Sequence, residues 1–228
     1  RTRAMPAERS DRREASQLRA MECELRPLNQ ADGSARFNFS RSSVLAGVHG
    51  PREGKYSQKE SGESIVVVNF GAKGAVGSGW DRGNEAVLRE CLEAMVMRSH
   101  NPMCVIDVTL QPMCDDGAQL AASVNAAVAA LIDAGVALRF VGVGVCCAVT
   151  REGALLLDPT REEEEEAATV VTFVIRPSDG AVVTSLCSAP LAQDVYLHAL
   201  DAARASAVTI LTFIRMALER RGGHEMMC

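Results

Sequence analysis

The sequence predicts an α/β fold in which helices pack on layers of β-sheet. Runs of β-branched and apolar residues alternate with three segments of helical periodicity. The length of 228 residues suits one large domain. With 47% hydrophobic residues, the chain has enough apolar surface for one core, which excludes disorder as its main state.

The first twenty residues are rich in arginine and contain almost no large apolar side chains. Such a segment buries too little surface to offset the entropy of ordering it, so we predict a flexible basic arm over residues 1–20. The domain is predicted over residues 21–221. Its first strands are β-rich runs at 35–40 and 43–50, separated by a polar turn that predicts an antiparallel pair.

Residues 64–70 predict a third strand, so uniformly apolar that we expect no wet face along its middle. The glycine-rich segment 71–83 shows neither the helical nor the strand periodicity of apolar residues, and it predicts a long surface loop. A helix is predicted over 84–100, because apolar residues recur there every three or four positions. A strand is predicted over 103–113.

The clearest predicted helix spans 117–135, where one apolar stripe runs from Leu120 to Ile132 and Gly135 ends it. Further strands are predicted at four places, namely 136–150, 154–157, 169–175 and 182–188. A long alanine-rich helix is predicted over 191–221, ending at a glycine pair and followed by a flexible tail at 222–228.

Charge and cysteine usage narrow the classes of function. The net charge is −5, so the overall field does not attract nucleic acid, and any contact with RNA needs a local basic patch. The eight cysteines lack metal-ligand spacing, and we interpret them as small core residues in a reducing, intracellular compartment. No uninterrupted apolar run reaches the length of a membrane span, so no membrane contact is predicted. No glycine-rich nucleotide motif follows a strand, and we predict no cofactor.

Several short strings occur in a specific order and spacing. They are DGSA at 32–35, VLAGVHGP at 44–51, DGA at 116–118, ALIDAGV at 130–136 and LDPT at 157–160. This pattern, over residues 25–221, resembles the ribonuclease PH family and, within it, the non-catalytic ring subunits of the eukaryotic RNA exosome of the forty-six type. The resemblance implies a fold like ribosomal protein S5 domain 2, with two related β–α layers.

The resemblance also carries expectations about activity. Active members cleave RNA from its 3′ end with inorganic phosphate as the attacking group, and two arginines hold that anion. Counting against the family pattern places Glu90 and Leu120 at those positions. Glutamate repels phosphate, and Leu120 is already explained by the apolar stripe. The resemblance therefore implies a structural subunit without catalytic residues, which supports RNA processing and degradation, including that of ribosomal RNA.

The implied partners are related subunits in a six-membered ring, cap subunits with RNA-binding domains, and single-stranded RNA. The implied location is the nucleus, including the nucleolus, and the cytoplasm. We predict RNA contacts at Lys73, Arg82 and Arg52, with Trp80 as a stacking surface between the first two. The alternative is that Trp80 pins its loop to the domain and both cations are merely solvated.

Contacts with neighbouring subunits are predicted on strand-rich segments, at 35–48 and 64–70. His49 could serve as a general base, but it has no serine or cysteine partner at recognisable spacing, so we interpret it as a core or turn histidine.

The acidic residues after position 157 leave a second function open. Active relatives carry catalytic carboxylates there, so a residual phosphorolytic 3′-to-5′ exoribonuclease or a metal-dependent nuclease would use Asp158, Glu162 and Glu164, with Glu163 as a further metal ligand. The other interpretation, which we favour, is a solvated acidic run beside a helical turn. We therefore predict no metal site, and Asp158 is the first candidate if activity persists.

Overall fold

A computed structural model describes residues 9, 11–53, 62–71 and 79–225. The described residues form two β-sheets and four helices, which confirms the predicted α/β architecture. In chain order the elements are β1 (Met21–Leu25), β2 (Gly33–Phe39), β3 (Ser42–Glu53), β4 (Ile65–Phe70), α1 (Gly79–Met95), β5 (Cys104–Cys114), α2 (Gln119–Asp133), β6 (Val143–Val149), β7 (Leu155–Leu157), α3 (Arg161–Glu166), β8 (Thr169–Arg176), β9 (Ala181–Cys187) and α4 (Gln193–Glu225).

The first sheet has the strand order β1-β2-β3-β5-β4. The predicted antiparallel pair is confirmed as β2 and β3, with Phe37 opposite Val44. Strand β1 was not predicted; it is a short edge strand that alternates half-buried and exposed residues. Of the two segments predicted for subunit contacts, 35–48 is paired on both sides, and only 64–70 contains an edge strand, β4. Asn69 of β4 is exposed, so the expectation of a strand with no wet face is wrong at that position.

The second sheet has the order β7-β6-β8-β9, and α2 lies between the two sheets. Small residues allow this close packing, since a Cβ at Gly144 of β6 would lie 2.8 Å from the Cα of Ala121. Asn125 of α2 joins the layers directly. Its Nδ2 donates to the Gly144 carbonyl at 3.1 Å, and its Oδ1 accepts from the Gly144 N–H at 2.9 Å.

Several predicted boundaries move in the structure. Only Val143–Val149 of the predicted strand 136–150 is a strand. The predicted helix 84–100 begins earlier, at Gly79, so Arg82 and Gly83 are helical rather than part of a surface loop. Residues 72–78 of that loop lie outside the described residues.

The last helix, α4, continues to Glu225 through the glycine pair at 222–223, where a stop was predicted. Two glycines lower helix propensity by about 1 kcal/mol each but do not by themselves end a helix. Residues 226–228 lie outside the description. By length and composition alone, Gln193–Arg220 is long and apolar enough to cross a membrane. One face of α4, with Ala203, Ala207 and Ile210, is buried in the core, as expected of a core helix.

The N-terminal segment lies against the domain where the structure describes it, which differs from the flexible arm expected over residues 1–20. Leu157 N donates to the Ala15 carbonyl at 2.8 Å, and the side chains of Arg9 and Arg19 are buried. The composition indicated too little apolar surface for ordering, but these arginines have partners across the domain. Residues 1–8 and 10 lie outside the description.

The cysteines divide between core and surface. Cys91, Cys146 and Cys147 are buried, and burial is the largest cause that raises the pKa of Cys91 and of Cys147 to about 12. Cys114 and Cys187 are exposed, so the interpretation of cysteines as core residues does not hold for these two. Every cysteine in the described part is a free thiol.

Candidate functional site

A cleft of about 900 Å³ opens where α1, α2 and α3 meet strands β8 and β9 of the second sheet. Its apolar wall contains Val87, Leu120, Val170 and Leu186. The polar part combines side chains from three helices, from strand β8 and from the residue that follows β9. These are Asn84, Gln119, Arg161, Glu164, Glu165, Thr172 and Ser188, with Asp115 from the segment before α2.

The acidic run is the short helix α3, which begins with a capping box. Glu163 Oε2 accepts from the Thr160 N–H at 2.9 Å, while the Thr160 hydroxyl oxygen accepts from the Glu163 N–H at 3.4 Å. Carboxylates in the first turn interact favourably with the positive end of the helix dipole. The run is thus a flanking helical turn, as favoured in the sequence analysis, but three of its carboxylates, Glu163, Glu164 and Glu165, have specific partners.

Asp158 is buried and faces the N-terminal segment. The Nε and Nη2 atoms of Arg19 donate to its two carboxylate oxygens at 3.0 and 2.7 Å, and the Arg19 N–H donates at 2.9 Å. The same guanidinium donates to the Asp116 carbonyl at 2.6 Å. Both Asp158 oxygens are therefore engaged inside the protein, and Asp158 does not line the cleft.

Glu163 has a similar partner. The Nε and Nη2 atoms of Arg9 donate to its two oxygens at 2.8 and 2.7 Å. Burial alone would raise the pKa of Glu163, but the hydrogen bond from Arg9 and the one from the Thr160 backbone outweigh it, so the pKa lies below its ordinary value. This carboxylate also points away from the cleft lining.

Glu164 is the carboxylate of this motif that enters the cleft, together with its neighbour Glu165. Its Oε1 accepts from the Ala118 N–H at 2.7 Å, and the Cys146 thiol lies 3.7 Å from the same oxygen. Burial is the main cause that raises the pKa of Glu164; the hydrogen bond from Ala118 opposes the shift, and the nearby Asp115 carboxylate adds to it.

The predicted acidic candidates are therefore not brought together. Asp158 and Glu163 face the N-terminal arginines, Glu162 is exposed to solvent, and Glu164 faces the cleft. Within the described ranges, no cluster of three or more histidine, cysteine, aspartate or glutamate side chains could hold a metal ion. These residues do not fit a metal centre built on Asp158, Glu162 and Glu164.

The positions assigned to the two phosphate-binding arginines have different environments. Glu90 is exposed on α1, whereas Leu120 is 7% exposed, within the core and at the cleft wall. Among the described residues that line the cleft, the cation is Arg161, which is ion-paired with Asp115 and, at 3.0 Å, with Glu165. Among the lining residues, carboxylates outnumber guanidinium groups, so the cleft disfavours a multiply charged anion.

Two of the three predicted RNA-binding cations, Arg82 and Arg52, lie among the described residues. Lys73 and the side chain of Trp80 lie outside the described residues. Arg82 is exposed in the first turns of α1, next to Gly83 at the cleft. Arg52 is exposed at the end of β3, but its Nη2 lies 2.8 Å from Asp107 Oδ2. His49 is also exposed on β3, opposite Asp107, and is not a core residue.

Sequence reasoning missed Arg9, Arg19 and Asn84. Nothing in the local pattern marks them, because their environment depends on residues far away in the chain. Asn84 lines the cleft, is 5% exposed, and its Nδ2 has no hydrogen-bond partner in the part of the chain that the structure describes. A buried amide donor without a partner is uncommon, and this one is a candidate ligand contact.

Leu120→Arg is expected to lower the free energy of unfolding by at least about 2 kcal/mol, because it removes buried apolar contacts and introduces a charge. Glu90→Arg is the matched control at the other position, and we expect it to leave stability close to that of the wild type. Thermal and urea unfolding measure both. Wild-type stability of Leu120→Arg would show that this side chain does not belong to the core.

Two family models match this chain in consecutive segments, one containing the first sheet and one containing the second. The model of the 3′ exoribonuclease family, domain 1, matches residues 17–137, and that of domain 2 matches residues 141–206. The exosome complex exonuclease RRP46 homologue of Arabidopsis thaliana is 26% identical over 92% of this chain and 95% of its own length. The exosome complex component Rrp41 of Thermoplasma acidophilum is 30% identical over 85% of this chain and 81% of its own length.

Two solved structures share the fold. Rice (Oryza sativa) Rrp46 superimposes with a TM-score of 0.86 at 28% identity, covering 92% of this chain and all of that one. A chain of an Archaeoglobus fulgidus exosome with RNA bound to the active site gives 0.79 at 22% identity, covering 90% of this chain and 92% of that one. Since both family domains match in order and together span most of the chain, this protein belongs to the 3′ exoribonuclease family of ribonuclease PH.

Proposed function

We propose that this chain is a structural, non-catalytic subunit of an exosome ring, which pairs with related subunits and helps to line the path of single-stranded RNA. The relatives of this chain support the assignment. They are named as exosome complex proteins, and the match to this chain extends over nearly their whole length. We further propose a ring of six subunits carrying cap subunits with RNA-binding domains, acting in the nucleus, the nucleolus and the cytoplasm.

The excess of carboxylates in the cleft carries the non-catalytic part of this proposal. Phosphorolysis requires a multiply charged phosphate to be held beside an anionic phosphodiester, which depends on preorganised positive charge. In the part of the cleft that the structure describes, the charged side chains are instead Glu164, Glu165, Asp115 and Arg161, and the Arg161 guanidinium is already ion-paired. Each lost preorganised contact of this type raises the barrier by about 2.7–4 kcal/mol.

A residual 3′-to-5′ exoribonuclease is the second candidate, because the RRP46 homologues of Arabidopsis thaliana and of rice are named exosome complex exonucleases. A phosphorolytic form would need phosphate in the acidic cleft. A metal-dependent form would need Asp158 to exchange Arg19 for a metal ion, which the bidentate ion pair opposes. Neither requirement fits the described residues.

One experiment separates these functions. The tagged chain is recovered from cells, the native mass and the partners of its complex are determined, and the purified chain is given single-stranded RNA with and without phosphate, Mg²⁺ or Mn²⁺. We expect a multi-subunit complex with related subunits, and no cleavage by the chain alone. Phosphate-dependent release of nucleoside diphosphates would contradict the non-catalytic role, and hydrolysis abolished by Asp158→Asn would favour the metal-dependent enzyme.

The RNA path is tested by the double variant Lys73→Ala, Arg82→Ala in the assembled ring. We expect folding and assembly to be intact, RNA protection to fall, and the salt dependence of binding to become shallower, because fewer phosphates are neutralised. Arg204→Ala is the matched control, since that exposed arginine of α4 pairs with Asp201. Unchanged affinity and salt slope in the double variant would exclude these two residues from the RNA path.

A further inference from the structure

Ser16 lies on an exposed turn ahead of β1. The Gln17 N–H donates to the Glu14 carbonyl at 3.0 Å, so residues 14–17 form a tight turn with Ser16 as its third residue. The Ser16 side chain is exposed, and the residues between this turn and β1 are irregular backbone. An enzyme can therefore reach the hydroxyl without unfolding either sheet.

Two arginines precede this serine. Arg13 stands three residues before Ser16, and Arg12 stands four residues before it. Serine kinases of the basophilic class select arginine at such positions with their own carboxylates, because the guanidinium–carboxylate pair supplies both charge and geometry. Arg12 is exposed, and residues 12–14 are irregular backbone, which can be drawn out into an extended strand. This part of the chain thus fits the substrate of a basophilic kinase.

The guanidinium of Arg13 lies across the turn. Its Nη1 donates to the Gln17 carbonyl at 3.1 Å, and its Nη2 donates to the Asp158 carbonyl at 3.2 Å. Its Nε donates to the carboxylate of Asp11. Arg13 therefore links the turn that carries Ser16 to the loop after β7, and a new anion on the turn would compete for this guanidinium.

The backbone next to Ser16 is also bound to β7. The Leu157 N–H donates to the Ala15 carbonyl at 2.8 Å. Arg9 joins the same two segments, because its Nη1 donates to the Glu14 carbonyl at 3.3 Å and to the Leu157 carbonyl at 2.9 Å. The turn is thus held on the domain by polar contacts, which a change of charge at Ser16 alters directly.

We propose that Ser16 is a phosphorylation site for a basophilic serine kinase, and that the phosphate detaches the turn from β7. In the transfer, the Ser16 hydroxyl oxygen bonds to the γ-phosphorus of a nucleoside triphosphate. The bond from that phosphorus to its bridging oxygen breaks, the nucleoside diphosphate leaves, and the hydroxyl proton passes to a base of the kinase.

The charge of the phosphate explains the detachment. A phosphoserine carries about −1.5 to −2 charges at neutral pH and has three strong acceptor oxygens, so it draws the Arg13 guanidinium away from the Asp158 carbonyl. Arg19 follows the turn in the chain and keeps its ion pair with Asp158, so the domain stays folded. This modification goes beyond the proposed role in a ring and does not depend on it.

The first test treats the purified full-length chain with ATP and a calmodulin-dependent protein kinase, a class that selects arginine three residues before its target. Peptide mass spectrometry is expected to find phosphate on Ser16. Arg13→Gln is expected to slow the modification at least about tenfold, the equivalent of one lost charged hydrogen bond. Ser178 is the matched control site, since it is exposed on a turn but has Ile175 three residues before it. Absence of phosphate on Ser16 would overturn the proposal.

The second test measures hydrogen exchange by NMR in the phosphorylated chain. Protection of the Leu157 amide is expected to fall about tenfold, because the Ala15 carbonyl leaves with the turn. The Ala122 amide, which donates within α2 to the Ala118 carbonyl, is the control and is expected to keep its protection. Ser16→Ala treated with the same kinase should match the unmodified wild type. Unchanged protection of Leu157 in a chain phosphorylated on Ser16 would also overturn the proposal, whereas cleavage of RNA would contradict only the proposed function.

Discussion

Arg19→Met is expected to destabilise the protein by about 3–5 kcal/mol, the usual cost of leaving one partner of a buried ion pair uncompensated. Arg19 and Asp158 are 5% and 2% exposed, and two N–H groups of the guanidinium bind the two carboxylate oxygens. The variant also loses the bond to the Asp116 carbonyl, which ties the N-terminal segment to the loop before α2. Urea unfolding with two optical probes measures the change.

The double variant Arg19→Met, Asp158→Asn tests the electrostatic part of that cost. Asparagine tolerates the positive φ of 49° at this position, and it removes a carboxylate charge that would retain only the longer ion pair with Arg13, at 3.9 Å. We expect the double variant to be more stable than Arg19→Met alone. A single Arg19→Met variant that unfolds at the wild-type urea concentration would show that the N-terminal segment does not hold Asp158.

Asn125→Leu is the second change with a large expected effect, a loss of about 2–6 kcal/mol. Its amide bonds to both the N–H and the carbonyl of Gly144, on the side of β6 away from β8. The short strand β7 pairs only with Cys147–Val149, so it supplies no other partner there. Leucine would leave two buried backbone groups without hydrogen bonds, each costing about 1–3 kcal/mol.

Ser123→Ala is the matched control for that variant, since Ser123 is equally buried in the same helix. Its hydroxyl donates to the Gln119 carbonyl at 2.8 Å, a hydrogen bond within α2 itself. We expect a loss of no more than about 1 kcal/mol, the net value of an ordinary hydrogen bond. Equal effects of the two substitutions, measured by thermal unfolding, would mean that Asn125 does not join the layers.

The helices and strands that the sequence predicts well are those that are buried to a similar degree along their whole length. The stripe of α2 is readable because the helix is buried between two sheets, so its apolar period is nearly continuous over Gln119–Asp133. Strand β1 was missed because it is an edge strand with one exposed face, and its glutamates at positions 22 and 24 hide the period. The helical start of α1 was missed because its first residues are polar and rich in glycine.

The acidic motif shows the same limit at the candidate site. Its sequence supplied several carboxylates and no means of telling them apart. In the structure each takes a different environment: Asp158 binds Arg19, Glu163 binds Arg9, Glu164 binds the end of α2, and Glu162 is solvated. Successive side chains of α3 point to different sides of the helix, but the groups that each of them contacts depend on the rest of the fold.

The α/β class, the order of most strands and helices, and the resemblance to the family could be read from the amino-acid sequence, because hydrophobic periodicity and short ordered strings are local properties. The burial of Arg9 and Arg19 follows from the tertiary structure, as does the placement of Glu164 at the cleft while Asp158 and Glu163 face those arginines. Arg19 and Asp158 are 139 positions apart, and Glu164 and Ala118 are 46 apart. Charges so distant in the chain meet only after the sheets and α2 have packed, so no local pattern encodes their pairing.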